Sequence, residues 1–447
     1  MAEPTENKQS DFMIEKIKER PVNKRKLIRR TMITAAMAVI FGSIACVTFL
    51  VLEPVLNKWL YPEEKPAPIV FPEDVEEMAP EEMLSDSSTE VAQEGEISSL
   101  DPEQMRQIMS NIVLNRDNYK QMYSDLSYFV RELNHSMVTV TGMSSDIDWF
   151  NDVEERRNQS SGVVIANNGK SLLVLADYAP LKRAQSLSLT FTYLDGTTGG
   201  TVSVPATFQD HDPMTDLAIF SVELSDVPEE ILGTENGIQV APLGTSNLRN
   251  IVGTPVIALG SPMGSSGSVG YGMISSVSVQ NQKADANYKF LQTDIYGSQN
   301  AGGILFNMQG QVIGIISNQK PGNDMKNMVT AIGISEIKKS IEKMSNSEKI
   351  AYLGINGTDV TEEAHASLGV PYGAYVRDIE MNSPSMRAGI QQGDVLVNFG
   401  ESILHNYNDY VTALLQAEAG SAVDLKIMRP AMGNYKEMTV RVTLGER

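Results

Sequence analysis

Apolar positions are spread unevenly along this chain of 447 residues, and the first concentration lies near the N-terminus. Residues 31–52 carry no charge and are mostly apolar. A helix of about 20 such residues spans a hydrocarbon core of ~30 Å. Residues 1–30 hold nine Lys or Arg against five Asp or Glu, and positive charge resists translocation. The sequence therefore predicts a cytoplasmic basic tail over 1–30, a single transmembrane helix over 31–52 and an extracytoplasmic remainder.

The next segment is polar. Residues 53–100 are rich in Glu, Asp, Pro and Ser and poor in aromatic residues, which is typical of a disordered acidic linker. Apolar residues at steps of three and four then predict a helix over 101–134. The formal net charge is −20 and no basic stripe lies outside the membrane anchor, so a nucleic-acid partner is not expected. Because Cys46 is the only cysteine, no intrachain disulfide is expected.

Short β-rich runs punctuated by glycine replace the helical pattern from Ser136 onwards. Many strands at close spacing, with few helices between them, predict barrels or sandwiches rather than a parallel α/β sheet. A helical pattern returns at Ser335–Met344 and closes a region that we place at residues 135–347. Residues 350–447 form a second, smaller unit. The expected fold class is therefore mostly β.

The most informative motif is the run T-D-I-Y-G-S-Q-N-A-G-G-I-L at residues 293–305. It resembles the nucleophile loop of the trypsin-like HtrA serine proteases. Residues 160–169, the strand 216–220 and the segment 260–275 resemble further motifs of that family, in the family's order. The resemblance covers roughly residues 136–345. It implies two antiparallel β-barrels with the former active site at their seam.

The same resemblance assigns roles to single residues. Hydrolysis in this family needs a hydroxyl, an imidazole and a carboxylate that act as a unit. The nucleophile position falls on Ala301, and the base position falls on Ala176, or on Asp177 if the loop shifts by one residue. Asp216 matches the triad aspartate. The matching oxyanion loop consists of Gln299, Asn300, Gly302 and Gly303, with Gln299 in place of a glycine. The chain is therefore expected to be a pseudoprotease.

Two residues keep an alternative open. His211 lies five residues before Asp216, and Ser298 lies three residues before Ala301. A displaced base and a displaced nucleophile would make the chain an active serine-type endopeptidase with relocated catalytic residues. We expect instead that His211 lies on a loop surface and that Ser298 is an ordinary loop serine, because neither has a partner at the spacing that catalysis requires.

Residues 350–447 resemble the PDZ domain that follows HtrA protease domains. In that family a loop receives a peptide's C-terminal carboxylate through consecutive backbone N–H groups, and a neighbouring strand accepts the peptide as an added strand. The residues that match this loop are Tyr352, Leu353, Gly354 and Ile355. The helix from Tyr407 to Ala417 is expected to form the other wall of an intact groove.

The resemblance also implies partners. Unfolded proteins or hydrophobic C-terminal peptides are the expected ligands, in envelope protein quality control or regulation. A homotrimer or a mixed assembly with active relatives is the expected form of association. No cofactor and no metal site are expected. A purely structural scaffold, with both clefts vestigial, is a third hypothesis.

Overall fold

The computed structural model describes residues 24–60, 66–74, 116–147, 153–195, 198–232, 237–280, 283–317, 327–431 and 433–447. These residues fall into two units, 1–65 and 66–447, each with its own architecture.

The first unit contains one long apolar helix, α1 (Lys24–Leu60). Its stretch Ile28–Thr48 is long and apolar enough to cross a membrane, judged by length and composition, and none of it is buried. Ala, Met and Leu are strong helix formers, so local propensity and apolar length favour the same element. The predicted transmembrane segment 31–52 lies within α1.

The second unit contains first a rolled antiparallel sheet of seven strands. Its strands are β1 (Met137–Ile147), β2 (Val153–Asn167), β3 (Ser171–Asp177), β4 (Ser186–Asp195), β5 (Thr198–Pro205), β6 (Thr207–Asp212) and β7 (Leu217–Glu223). They pair in the order β5-β4-β1-β2-β3-β7-β6. The strands at the two edges, β5 and β6, are consecutive in sequence and only Ala206 separates them. The sheet must therefore curl until its edges meet, which gives the first barrel.

The second barrel is closed by strand pairing. Its strands are β8 (Pro255–Ser261), β9 (Ser268–Gln280), β10 (Tyr288–Tyr296), β11 (Gly302–Asn307), β12 (Val312–Ile316) and β13 (Met328–Gly333). The closed order is β10-β13-β12-β11-β8-β9. The mostly β, two-barrel architecture predicted from the sequence is thereby confirmed.

Two helices flank the barrels. Helix α2 (Arg116–Asn134) precedes the first barrel and helix α3 (Ile334–Ser345) follows the second. The N-terminal part of the helix predicted over 101–134, residues 101–115, lies outside the described residues.

The position of strand β3 between two cores explains why residues 172–176 are all apolar. Leu172, Val174 and Ala176 face the interior of the first barrel. Leu173 and Leu175, on the opposite face, join a larger core that also includes residues of the second barrel, α3 and the C-terminal unit. Successive side chains of a strand point to opposite faces, so a strand between two cores has to be apolar at every position.

The C-terminal unit combines a sheet with three helices. Its strands are β14 (Ala351–Tyr352), β15 (Ile355–Asp359), β16 (Ala374–Ile379), β17 (Val395–Phe399), β18 (Ser402–Ile403), β19 (Ala422–Ala431), β20 (Asn434–Thr443) and β21 (Gly445–Glu446), and its helices are α4 (Glu362–Leu368), α5 (Pro384–Arg387) and α6 (Tyr407–Gln416). The sheet order is β15-β16-β17-β19-β20, so β15 is an edge strand. Asn406 caps α6, since its side chain accepts from the N–H of Asp409.

Residues 66–74 depart from the disordered acidic linker predicted over 53–100. Ile69 is buried, its N–H donates to Oδ1 of Asn346 at 2.9 Å, and Nδ2 of Asn346 donates to the carbonyl of Ile69 at 2.8 Å. Lys338 donates to the carbonyl of Pro72 at 3.2 Å and pairs with Asp74. An apolar side chain and satisfied backbone groups thus hold the segment against α3 and the turn after it. Residues 61–65 and 75–100 of the predicted linker lie outside the described residues.

Candidate functional site

At the seam between the barrels, Gly260 of β8 lies directly against the side chain of Ser161 of β2. Gly260 has a φ of 115°, and a Cβ there would lie 2.7 Å from Cβ of Ser161 and 2.9 Å from Cα of Gly303. The hydroxyl of Ser161 donates to Oγ of Ser261 at 3.4 Å, and that of Ser261 donates to the carbonyl of Gly302 at 3.2 Å. Any side chain at position 260 would overlap both neighbours, so the site requires glycine. The loop that leads into β11 therefore lies directly against the first barrel.

Ser298 organises the turn that precedes Ala301. Its Oγ accepts from the N–H of Asn300 at 3.2 Å, and its carbonyl accepts from the N–H of Ala301 at 3.2 Å. Its own N–H donates to the carbonyl of Pro262 at 3.1 Å. Serine hydroxyls commonly hydrogen-bond their own backbone two residues further on, as here. The contacts of Ser298 are thus those of a turn residue.

Ala301 and Ala176 belong to two different hydrophobic cores. Ala301 is 2% exposed and packs in the second barrel, in a cluster that includes Ile295 and Leu305. Ala176 is fully buried in the first barrel, where it lies in register with Ala218 on β7. Neither methyl group can donate or accept a hydrogen bond. The two positions therefore fill their respective barrels and bring no polar side chain to a shared cleft.

Asp216 ends the turn that leads into β7. It has a φ of 58°, and its N–H donates to the carbonyl of Asp212 at 2.9 Å. Oδ1 of its carboxylate accepts from Nζ of Lys182 at 2.7 Å, and this hydrogen bond raises the pKa of Lys182. In the described part of the chain the group that contacts this carboxylate is thus an ammonium, where the family has an imidazole.

The neighbouring Asp177 adds a second carboxylate. Its Oδ1 accepts from the N–H of Ala179 at 2.9 Å. Burial raises the pKa of Asp177, the bond from Ala179 partly offsets the rise, and the charge of Asp216 adds to it. Lys182 lowers the same pKa. Asp177, Asp216 and Lys182 therefore form a cluster of two acids and one cation.

His211 is not on a loop surface as expected. It lies in β6, in register with Ala218 of β7, and is half-buried. Its ring centroid lies 4.9 Å from that of Tyr178 and 5.9 Å from that of Phe208. The expectation was wrong because the residues before the turn to Asp216 form strand β6 and not a loop. Aromatic packing is the role that these contacts give His211.

The predicted carboxylate-binding loop holds a carboxylate that belongs to the chain itself. The N–H groups of Leu353 and Gly354 donate to Oδ2 of Asp285 at 2.7 Å and 2.6 Å. The N–H of Ile355 donates to Oδ1 at 3.0 Å, and the hydroxyl of Tyr410 donates to the same atom. The backbone N–H groups of this loop therefore hold a carboxylate, but it is the side chain of Asp285 that occupies them, a contact that the expectation of an intact groove did not include.

Asp285 is fixed by its backbone as well. It is 1% exposed, its φ is 55°, and its N–H donates to the carbonyl of Ile355 at 2.8 Å. Burial raises the pKa of Asp285, although the hydrogen bonds from Tyr410 and from the N–H groups of the loop lower it. This residue lies between β9 and β10 of the second barrel, so a direct polar contact joins that barrel to the C-terminal unit.

Sequence reasoning missed three residues of these sites: Lys182, Asp285 and Tyr410. Asp285 sits between Ala284 and Ala286 in a run without motif, and its partners lie between 68 and 125 positions away. Tyr410 lies on the helix that was predicted to form a groove wall, so its hydroxyl was the one signal available.

Comparison with known proteins agrees with both domains. The family described as trypsin-like peptidase domain matches residues 160–315, and the PDZ domain family matches residues 351–444. The "HtrA-type protease AlgW with decapeptide" is a solved structure with a TM-score of 0.51 at 18% identity, over 71% of this chain and 98% of that one. At this identity the likeness concerns the fold alone.

Two curated relatives are similar at the level of sequence. A "Probable periplasmic serine endoprotease DegP-like" of Marinomonas sp. (strain MWYL1) is 31% identical over 245 residues, 53% of this chain and 48% of the relative. A "Serine protease Do-like HtrA" of Bacillus subtilis (strain 168) is 27% identical over 355 residues, 72% of this chain and 73% of the relative. The chain spans about half the length of the DegP-like relatives. With its trypsin-like peptidase domain followed by a PDZ domain, this chain is a homologue of the HtrA/DegP serine proteases.

Proposed function

We propose that this chain is a membrane-anchored, extracytoplasmic HtrA-like protein that binds unfolded or C-terminal peptides through its PDZ groove and does not hydrolyse them. The observation that carries the proposal is the placement of Ala176 and Ala301, each buried in a different barrel core. A methyl group can neither attack a carbonyl nor accept a proton.

The surroundings of Asp216 support the proposal. A triad carboxylate acts by orienting and charging an imidazole, whereas this carboxylate is paired with Lys182. The loss of a single triad member lowers turnover by roughly 10⁴–10⁶-fold, and the losses do not add because the group acts together. With both nucleophile and base replaced, the remaining rate is that of a shaped cleft.

The fold that supports a peptide-binding function is the C-terminal unit. Its loop binds a carboxylate through three backbone N–H groups, and β15 is an edge strand that can accept an added strand. We place the function in envelope protein quality control or regulation, with mixed assembly with active relatives as one route. The apolar helix α1 would anchor the protein, with its basic N-terminal side in the cytoplasm.

The experiment uses the full chain in detergent micelles, incubated with unfolded casein and with a fluorophosphonate probe. The HtrA of Bacillus subtilis serves as the positive control. We expect neither cleavage of casein nor labelling by the probe. Time-dependent cleavage would support the endopeptidase with relocated residues instead. In that case the substitutions Asp216→Ala, His211→Ala and Ser298→Ala should each lower the rate.

A further inference from the structure

We infer that residues 283–287 are an intramolecular ligand of the PDZ groove, in which the Asp285 side chain takes the place of a peptide's C-terminal carboxylate. An external C-terminus then binds only by displacing this segment. The inference rests on the proposed peptide-binding function, whose groove it regulates.

The donors around Asp285 are those of a carboxylate-binding loop. Leu353, Gly354 and Ile355 all direct their N–H groups at its two oxygens. The hydroxyl of Tyr410 from α6 completes the set. A second carboxylate cannot occupy these donors at the same time, because each N–H has one hydrogen to give. Binding of the internal and the external carboxylate is therefore mutually exclusive.

The backbone of the segment also imitates a bound peptide, but only at one point. The N–H of Asp285 donates to the carbonyl of Ile355, the first residue of the edge strand β15. Its φ of 55° then turns the chain, so that this contact differs from the extended pairing of an added strand. An extended external peptide can form further bonds along β15, which gives it a means to compete.

Small side chains allow the segment to lie so close. Ala284 and Ala286 on either side of Asp285 are 2% and 1% exposed. Lys283 donates to the carbonyl of Met214, and Nδ2 of Asn287 donates to Oδ1 of Asn408 at 3.2 Å. Both ends of the segment are thus held as well as its centre.

A cavity of about 450 Å³ adjoins Asp285 and Ala286, and its lining combines Val411 and Leu415 of α6 with polar and charged side chains, among them Glu336, Lys338 and Arg447. The short side chain of Ala286 cannot fill this space. A peptide with a large apolar C-terminal residue would place that residue against Val411 and Leu415, where burial of apolar surface favours binding. This chemistry favours hydrophobic C-termini as the displacing ligands.

Asp285 can compete with a free peptide for the groove because it belongs to the same chain. A tethered group acts at an effective concentration that reaches the millimolar range. A free peptide must overcome this concentration, so the wild-type groove should bind peptides more weakly than a groove without the internal carboxylate.

The first test measures binding by fluorescence anisotropy, with full-length protein in detergent and a fluorescein-labelled decapeptide that ends in a free valine. We expect Asp285→Ala to bind it at least tenfold more tightly than the wild type. The exposed Asp226→Ala is the matched control and should bind like the wild type. The same peptide with an amidated C-terminus should bind neither to the wild type nor to the two variants.

The outcomes separate the two proposals. Equal affinity of wild type and Asp285→Ala would overturn the internal ligand while leaving peptide binding intact. Failure of every protein to bind would overturn the proposed function, and the internal ligand with it.

A second test avoids any dependence on the folding of a variant. Hydrogen exchange of the wild type should show the amides of residues 353–355 protected without peptide. A saturating concentration of the peptide should then increase exchange at residue 285. Peptide binding that leaves exchange at residue 285 unchanged would contradict displacement.

Discussion

Tyr410 donates its hydroxyl to the buried carboxylate of Asp285, although the two residues belong to different domains. Tyr407, one turn earlier on α6, donates instead to the neutral carbonyl of Ile355 at 2.7 Å. Both rings are fully buried. The pair therefore allows a charged and an uncharged acceptor to be compared in almost the same environment.

Removal of each hydroxyl should have a different cost. Tyr410→Phe leaves a buried carboxylate with one donor fewer, and we expect a loss of about 1.5–3 kcal/mol in the free energy of unfolding. Tyr407→Phe should lose about 0.5–1.5 kcal/mol, because its acceptor is neutral. Urea unfolding of both variants measures the difference. A smaller loss for Tyr410→Phe would contradict the charged contact.

Gly303→Ala should destabilise the second barrel strongly. Gly303 has a φ of 124°, and a Cβ there would lie 2.0 Å from the carbonyl oxygen of Leu259. We expect a loss of at least about 2 kcal/mol from strain and overlap. Gly302→Ala is the matched control, because its Cβ would meet only Oγ of Ser261 at 3.3 Å. Equal unfolding midpoints for the two variants would count against the close approach.

Ile69→Ala tests whether the segment 66–74 contributes to stability. The Ile69 side chain is 8% exposed, while the next residue, Val70, is 75% exposed. We expect Ile69→Ala to cost about 2 kcal/mol and Val70→Ala to stay within about 0.5 kcal/mol. Thermal unfolding and limited proteolysis of the full chain measure both effects. Identical behaviour of the two variants would show that the segment is not docked.

A hydroxyl at position 301 should not by itself make the residue a nucleophile. Ala301→Ser places a hydroxyl in the core of the second barrel without a base. The protein should remain unlabelled by a fluorophosphonate probe and should lose about 1–3 kcal/mol if the hydroxyl stays unsatisfied. Mass spectrometry of the probe-treated protein checks the first expectation. A covalent adduct at residue 301 would refute it.

Glu336 gives a dependence of stability on pH. Burial raises its pKa above the ordinary value of 4.5, although Lys289 and the hydroxyl of Ser246 partly lower it. A carboxyl with a raised folded-state pKa favours folding when protonated, so its contribution declines as the pH rises from about 4.5 through the folded-state pKa. Glu336→Gln should therefore gain stability relative to the wild type over that window. Urea unfolding between about pH 4 and pH 8 measures the difference, and a flat difference would contradict it.

The barrels and the PDZ unit were predictable because their signals are local. Strand β3 is apolar at every position between its ends. The turn and strand motifs follow one another in the order found in HtrA proteases. The contacts of Asp285 were not predictable, since they depend on how the second barrel and the PDZ unit meet. Lys182 likewise reaches Asp216 only because β3 and β7 are neighbours.

The segment 66–74 shows a different limit. A composition argument over residues 53–100 averages many acidic residues and so conceals the short apolar group Ile69-Val70-Phe71. Its position depends on Asn346 and Lys338, which lie about 270 residues further along the chain. Composition describes a segment's average tendency and not its best local contact.

The close approach of Gly260, Ser161 and Gly303 also has a mechanical consequence. Where Gly260 of the second barrel lies against Ser161 of the first with no room for a Cβ, even a small sliding movement produces a steric clash, because packed interiors resist compression. The two barrels should therefore move as one rigid body. Any change of shape that accompanies ligand exchange is then left to residues outside the strands of the two barrels, for which the barrels provide a fixed platform.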